Sequence, residues 1–190
     1  MPVLLSVLFL LLLTPAQPGA QSGKHTVRKE TPMFQLTSKA FAAEGSIPVK
    51  FTCQGNDISP NLAWTGAPAG TKSFALIMHD PDAPLAGGFT HWVLYNIPAG
   101  ANHIAENLPK QEKLVTGGVQ GTNDGGSIGY MGPCPPSGMH RYYIRLYALD
   151  SEVPLQPGAT KEILEKAITG HILGEAELMG RYSKSPGKVA

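Results

Sequence analysis

The run His-Arg-Tyr-Tyr-Ile-Arg-Leu-Tyr-Ala-Leu at positions 140–149 constrains this chain more than any other stretch. It is rich in aromatic and branched residues, as a long β-strand is. Side chains on a strand alternate between faces, so His140, Tyr142, Ile144, Leu146 and Ala148 share one face. Arg141, Tyr143, Arg145, Tyr147 and Leu149 share the other. The first face is apolar except at its beginning, where a His and a Tyr stand two residues apart. This pattern predicts a core strand whose N-terminal end opens into a polar pocket. Residues 129–138 precede it and hold too much Gly and Pro for a helix or a central strand. They predict a stiff loop that keeps its shape without regular structure.

The rest of the chain reads as short strands between turns. Of 190 residues, 22 are Gly and 17 are Pro, recurring between short apolar runs, which favours one mainly β domain. Strands are expected at 34–38 and 47–53, the second with Ile47, Val49 and Phe51 on one face, and a short apolar piece at 62–64. Residues 73–79 are almost continuously apolar and predict a strand buried on both faces. It runs into Asp-Pro-Asp-Ala-Pro at 80–84. Another strand spans 91–97, with His91, Val93 and Tyr95 on one face. Residues 98–126 hold no long element, and the Gly-rich part at 116–126 reads as an ordered loop. It lacks the Lys and Ser/Thr of a phosphate-binding P-loop. The spacing predicts a helix over 160–169, with Thr160 as N-cap, an apolar stripe of Ile163, Leu164, Ala167 and Ile168, and Gly170 as its stop. Residues 175–182 read as a final strand or a short helix.

Residues 1–20 carry an apolar run at 3–13, too short to span a bilayer, followed by small residues. They are expected to be a signal peptide cut after Ala16 or Ala20, although no Lys or Arg precedes the run. An uncleaved anchor is the alternative. Residues 21–32 then form a polar lead-in, 33–183 the domain and 184–190 a tail. The protein is expected to be exported, periplasmic or secreted, with no membrane-spanning segment after cleavage. Net charge is +1 with no basic block, which argues against a nucleic-acid partner. Cys53 and Cys134 are the two cysteines, both in Gly/Pro-rich surroundings. An oxidising compartment favours a disulfide between them over two buried thiols. Such a bond would contribute about 4–5 kcal/mol by the chain-entropy model. A zinc site would need more ligands.

Asp80, His91 and His140 are polar groups at the ends of apolar runs. Each alone has an ordinary structural explanation: turn chemistry for Asp80 and Asp82, and a satisfied or solvent-facing imidazole for each His. Together four motifs stand in order: Asp-Pro-Asp-Ala-Pro at 80–84, His-Trp at 91–92, Gly-Tyr-Met-Gly-Pro-Cys-Pro-Pro at 129–136 and Gly-Met-His-Arg-Tyr at 138–142. In these the chain resembles the phosphatidylethanolamine-binding protein family, most closely its bacterial branch, the Raf kinase inhibitor-like proteins, over residues 33 to 183. The resemblance implies a sandwich of two antiparallel sheets with a few short helices. It also implies a cavity for anions such as phosphate, acetate or a phospholipid head group. Its walls here would be Asp80, Asp82, His91, Gly132, Pro133, His140 and Tyr142. Eukaryotic members carry a C-terminal helix beside this cavity. Few residues follow Tyr182 here, so a more open mouth is expected. Imidazole N–H groups and a tyrosine hydroxyl suit an oxyanion, and charge-assisted bonds to it are the strong kind.

The function so read is an exported, non-catalytic binding protein, since no nucleophile elbow or activated Ser or Cys is present. The partners are a small anionic or phosphorylated ligand, a protein partner it modulates and, as an assembly, a homodimer. No cofactor is expected. A cytosolic kinase partner does not suit an exported chain. One alternative is a protease inhibitor or other protein-interaction module acting through surface loops. Another is a metal-dependent enzyme holding its ion with Asp80, His91 and His140.

Overall fold

The computed structural model describes residues 33–184. The expected signal peptide and lead-in lie outside the described residues, as does the tail beyond 184. Eight strands and one α-helix follow in order: β1 (Gln35–Thr37), β2 (Leu62–Thr65), β3 (Ser73–Asp80), β4 (Phe89–Pro98), β5 (His103–Ile104), β6 (Val119–Gln120), β7 (Met139–Leu149), α1 (Lys161–Ile168) and β8 (Ile172–Ser183). They form a three-stranded sheet, β1-β2-β5, and a five-stranded sheet, β6-β4-β3-β7-β8. All the strand pairings are antiparallel. The expected sandwich is therefore present, with one α-helix and a single 3-10 turn among the described residues.

The alternation along β7 explains how the layers meet. His140, Tyr142, Ile144, Leu146 and Ala148 are all buried, and the last four join Phe74, Leu76 and Met78 of β3 in the core between the sheets. Tyr147 and Leu149 on the other face pack with Ala75, Ile77, Val93 and Tyr95 against Leu164 and Ile168 of α1. As its unbroken apolar run requires, β3 is the middle strand and is covered on both faces. Helix α1 begins and ends as expected. The Thr160 hydroxyl, however, bonds the Glu162 carboxylate at 2.9 Å instead of capping a backbone N–H. Ile163 of the expected stripe is 48% exposed, so Leu164 and Ile168, with the partly buried Ala167, seal the helix onto the sheet. Residues 175–182 resolve as strand, and β8 starts earlier than expected, at Ile172.

One expected strand is absent. Residues Val49–Phe51 form a 3-10 turn, with the Phe51 and Thr52 amides donating to the Pro48 and Val49 carbonyls. Ile47 donates to the Arg181 carbonyl, and then Pro48, which has no N–H, ends the pairing. Ile47 and Phe51 are buried while Val49 is half exposed, because the turn breaks the alternation. Downstream, Cys53 and Cys134 are joined by a disulfide, 81 residues apart in sequence with Cα atoms 5.4 Å apart. The bond ties the stiff 129–138 loop to the chain after the turn.

Leu76 is wholly buried at the centre of the middle strand. Leu76→Ala is expected to cost about 2–5 kcal/mol, because a cavity there has two covered faces and little room to collapse. Urea denaturation of the variant beside the parent measures it, with an unchanged slope expected.

Candidate functional site

Strands β3, β4 and β7 place three polar side chains at one end of the inner core. Asp80 is the last residue of β3, and His140 the second residue of β7. His91 reaches the site through an irregularity. Met78 pairs with Trp92, yet His79 pairs with Thr90, so His91 is the extra residue of a β-bulge. The bulge turns its ring away from Val93 and Tyr95, which pack on the α1 face, and sets it edge-on against Tyr142, centroids 5.2 Å apart. The expected shared face of His91, Val93 and Tyr95 is thereby corrected. Sequence alternation cannot register a bulge that no glycine marks.

Asp80, His91 and His140 are 2%, 4% and 7% exposed. Asp80 serves two partners. Its Oδ1 accepts the Asp82 amide at 2.8 Å, the expected turn chemistry, and its Oδ2 accepts His140 Nδ1–H at 2.7 Å. His91 Nδ1–H donates to the Met131 carbonyl at 2.8 Å, while the Met131 amide donates to the His91 carbonyl at 2.9 Å. Both rings therefore have Nδ1 committed to an acceptor, which leaves Nε2 as their remaining polar atom. Burial lowers the His91 pKa, against the Met131 carbonyl and the Asp80 charge, which raise it. Tyr142 is fully buried between the two imidazoles, its hydroxyl without a hydrogen-bond partner of good geometry among the described residues. Burial and then the nearby Asp80 charge push that hydroxyl far above its usual range, so it is a neutral donor.

These groups form the floor of a cavity of about 410 Å³. Its walls are apolar. Ala83, Pro84 and Leu85 come from the turn after β3, Phe89 from the start of β4, and Met131, Cys134, Pro135 and Pro136 from the stiff loop. No Lys or Arg lines it. Of the expected site residues, Asp80, His91 and His140 thus meet at the cavity and Tyr142 lies directly behind them. The other three stand elsewhere. Asp82 is clamped to the outer face of β7, its carboxylate accepting Arg141 Nε, a second guanidinium nitrogen and the Arg141 amide at 2.7–2.9 Å. Gly132 gives its amide to Asp57 Oδ1 at 2.6 Å, and Pro133 gives its carbonyl to the Cys53 amide at 3.1 Å. A side chain at Gly132 would lie 2.5 Å from the Phe51 carbonyl oxygen, so glycine is required by the close backbone approach.

The wall residues were the part missed. Phe89 lies on the His91 side of β4, stacked obliquely at 4.9 Å, and its only signal was an aromatic near a strand's start. Pro135 and Pro136 lay inside the loop already singled out, with nothing to say which of its prolines face inward. The Gly-rich segment 116–126 contributes nothing to the cavity. Its Gln120 instead holds Trp92 Nε1 at 3.0 Å and Asn123 holds the Gly129 carbonyl at 2.9 Å, bracing the stiff loop from behind. The structure lends the metal-enzyme alternative no support. Asp80 sits behind His140 with both oxygens engaged, and the described residues contain no group of three His, Cys, Asp or Glu able to hold a metal.

The family model described as phosphatidylethanolamine-binding protein matches residues 37–183. A UPF0098 protein of Methanothermobacter thermautotrophicus is 52% identical over 151 residues, covering 80% of this chain and 99% of that protein. A UPF0098 protein of Aquifex aeolicus is 45% identical over 155 residues, covering 80% of this chain and 90% of its own. A crystal structure of a phosphatidylethanolamine-binding protein homologue from Chlamydia trachomatis aligns at a TM-score of 0.74 with 44% identity, over 80% of this chain and 98% of the other. E. coli YbcL, described as a member of the mammalian family of that name, aligns at 0.75 with 32% identity, over 80% and 99%.

Two titrations follow from the geometry. The Arg141 guanidinium lowers the Asp82 pKa to about 2, so the native state holds this proton less tightly than the unfolded chain. The stability from this pair is full above the unfolded carboxylate pKa, near ~3.9, and is lost as pH falls towards about 2. Asp82→Asn is expected to flatten that part of the stability–pH curve. His91 acts in a different window. A ring buried neutral binds fewer protons than its unfolded counterpart, so stability falls as pH drops below the ordinary His value of about 6.5. His91→Gln is expected to reduce that slope in melting curves taken across the range, and His79, whose pKa burial also lowers, keeps the rest.

Proposed function

The chain belongs to the phosphatidylethanolamine-binding protein family, and on that footing we propose that it is an exported, non-catalytic binding protein whose cavity takes a small anion of the phosphate or head-group kind. The observation that carries this reading is the pair of buried imidazoles at the cavity floor, each held by Nδ1 and with Nε2 uncommitted. A neutral ring of this tautomer offers a lone pair, and after protonation it offers an N–H. An anion entering the cavity meets no fixed cation, since no Lys or Arg lines it. Its charge is balanced by protonating imidazole, and Tyr142 stands behind as a neutral hydroxyl. The apolar walls accept whatever uncharged group the anion carries. Modulation of a partner protein would follow from which molecule fills the cavity.

Binding should then take up a proton. Because burial keeps His91 neutral near pH 7, affinity is expected to rise as pH falls. Calorimetric titration with inorganic phosphate and with phosphoethanolamine at about pH 7.5 and about pH 5.5 measures this. Tighter binding at the lower pH is the expected result, and no heat at either pH with the domain folded rejects the reading. His140→Ala should weaken binding by roughly tenfold or more, the magnitude of one charge-assisted bond, with the fold retained.

The protein-interaction alternative has one feature in its favour. Val115 is 99% exposed at the tip of a turn closed by bonds between Leu114 and Gly117 and between Leu114 and Gly118. A panel of extracellular proteases assayed with the protein and with Val115→Asp would reveal inhibition through that loop.

A further inference from the structure

We propose that the Cys53–Cys134 disulfide is a redox control on the cavity's affinity; this rests on the anion-binding reading above. The stiff loop is fastened unevenly. Residues 129–133 are held by hydrogen bonds: Asn123 to the Gly129 carbonyl, the Tyr130 hydroxyl to the Phe51 carbonyl, the Met131 amide to His91, the Gly132 amide to Asp57 and the Cys53 amide to the Pro133 carbonyl. Residues 134–138 have no such ties among the described residues. Among the described residues, and apart from the packing of the buried Pro135, the disulfide is the only bond that fixes this second half before β7 begins at Met139. Yet Cys134, Pro135 and Pro136 form one wall of the cavity.

Opening the bond therefore frees a wall and leaves the floor in place. The Met131 carbonyl still orients His91, and Asp80 still orients His140, since neither contact passes through the disulfide. Both cysteines are exposed residues, so a thiolate reaches the bond from solvent. The reductant is a dithiol of the paired-cysteine type. One of its thiolates attacks a protein sulfur, forming a mixed disulfide and releasing the other protein cysteine as thiolate. Its second thiol then displaces the first protein sulfur. Two electrons pass to the protein, which ends with two thiols, and the dithiol ends as a disulfide. A freed wall costs affinity because the ligand must order it again on binding. By reciprocity the bound anion makes the bond harder to open by the same factor.

The test is titration of inorganic phosphate and phosphoethanolamine into the oxidised protein, the dithiol-reduced protein and the Cys53→Ser variant. Free thiols are counted and circular dichroism recorded on each sample. Cys53→Ser opens the tether while leaving the Cys134 side chain at the wall. The expected result is an affinity lower by about tenfold in both opened forms, with the folded spectrum retained and full recovery when the reduced protein is reoxidised. The reduction potential should correspondingly fall by ~30 mV in saturating ligand. Equal affinity in oxidised and opened forms overturns the proposal, as does unfolding on reduction, which would make the bond a structural staple. Absence of binding in the oxidised protein overturns the anion-binding reading itself and the redox control with it.

Discussion

A buried carboxylate against a buried imidazole, Asp80 on His140 at 2.7 Å, joins the end of the middle strand to the start of its neighbour. Two residues past Asp80 and one past His140, Asp82 grips Arg141 on the opposite face of β7. Two carboxylates of one turn thus hold two successive residues of one strand, one from inside and one from outside. The inner pair is the more demanding, because removing either partner leaves a largely buried polar group without its partner. The turn carries Ala83, Pro84 and Leu85, so fixing it also fixes one wall of the cavity. The opposite wall is held at Met131 by its reciprocal pairing with His91 and at Cys134 by the disulfide.

The strand faces of β7 and the double burial of β3 were legible because alternation and an unbroken apolar run each admit one solution. Asp80 and His140 could be placed at a pocket for the same reason, since they stand where those patterns stop. His91 was identified but assigned to the wrong face, because a bulge shifts the period of two without changing the residues. The strand expected at 47–53 shows the reverse error. Ile47, Val49 and Phe51 alternate, but Pro48 lacks the donor a strand needs, and local turn bonds prevailed. Gly132 and Pro133 carried the signal of a special backbone. In the structure that backbone packs closely against Phe51 and Asp57. The cavity's apolar walls were out of reach altogether, as they come from three separate segments that only the finished fold brings together.

Electrostatically the site differs from phosphate sites built on helix N-termini or lysine-bearing loops. It has a buried carboxylate, two imidazoles and a neutral phenol, and its charge balance rests on protons more than on fixed cations. If the cavity takes an anion as proposed, occupancy is coupled to pH, and in an apolar surround each proton has a large effect. His91 is the sensitive member, because burial already disfavours its charged form.

The order of strands in the larger sheet leaves β8 at its rim, twelve residues long. An open rim of that length is a template for another chain's backbone. Its final third is covered from within: the Glu44 amide takes the Met179 carbonyl, and residues 45 and 47 exchange bonds with Arg181. Upstream, Glu175 and Glu177 stand at the rim, drawn towards Arg145 on the neighbouring strand. A second molecule offering the same strand would bring its own pair of glutamates against these. The sheet therefore resists growing by accretion along this rim.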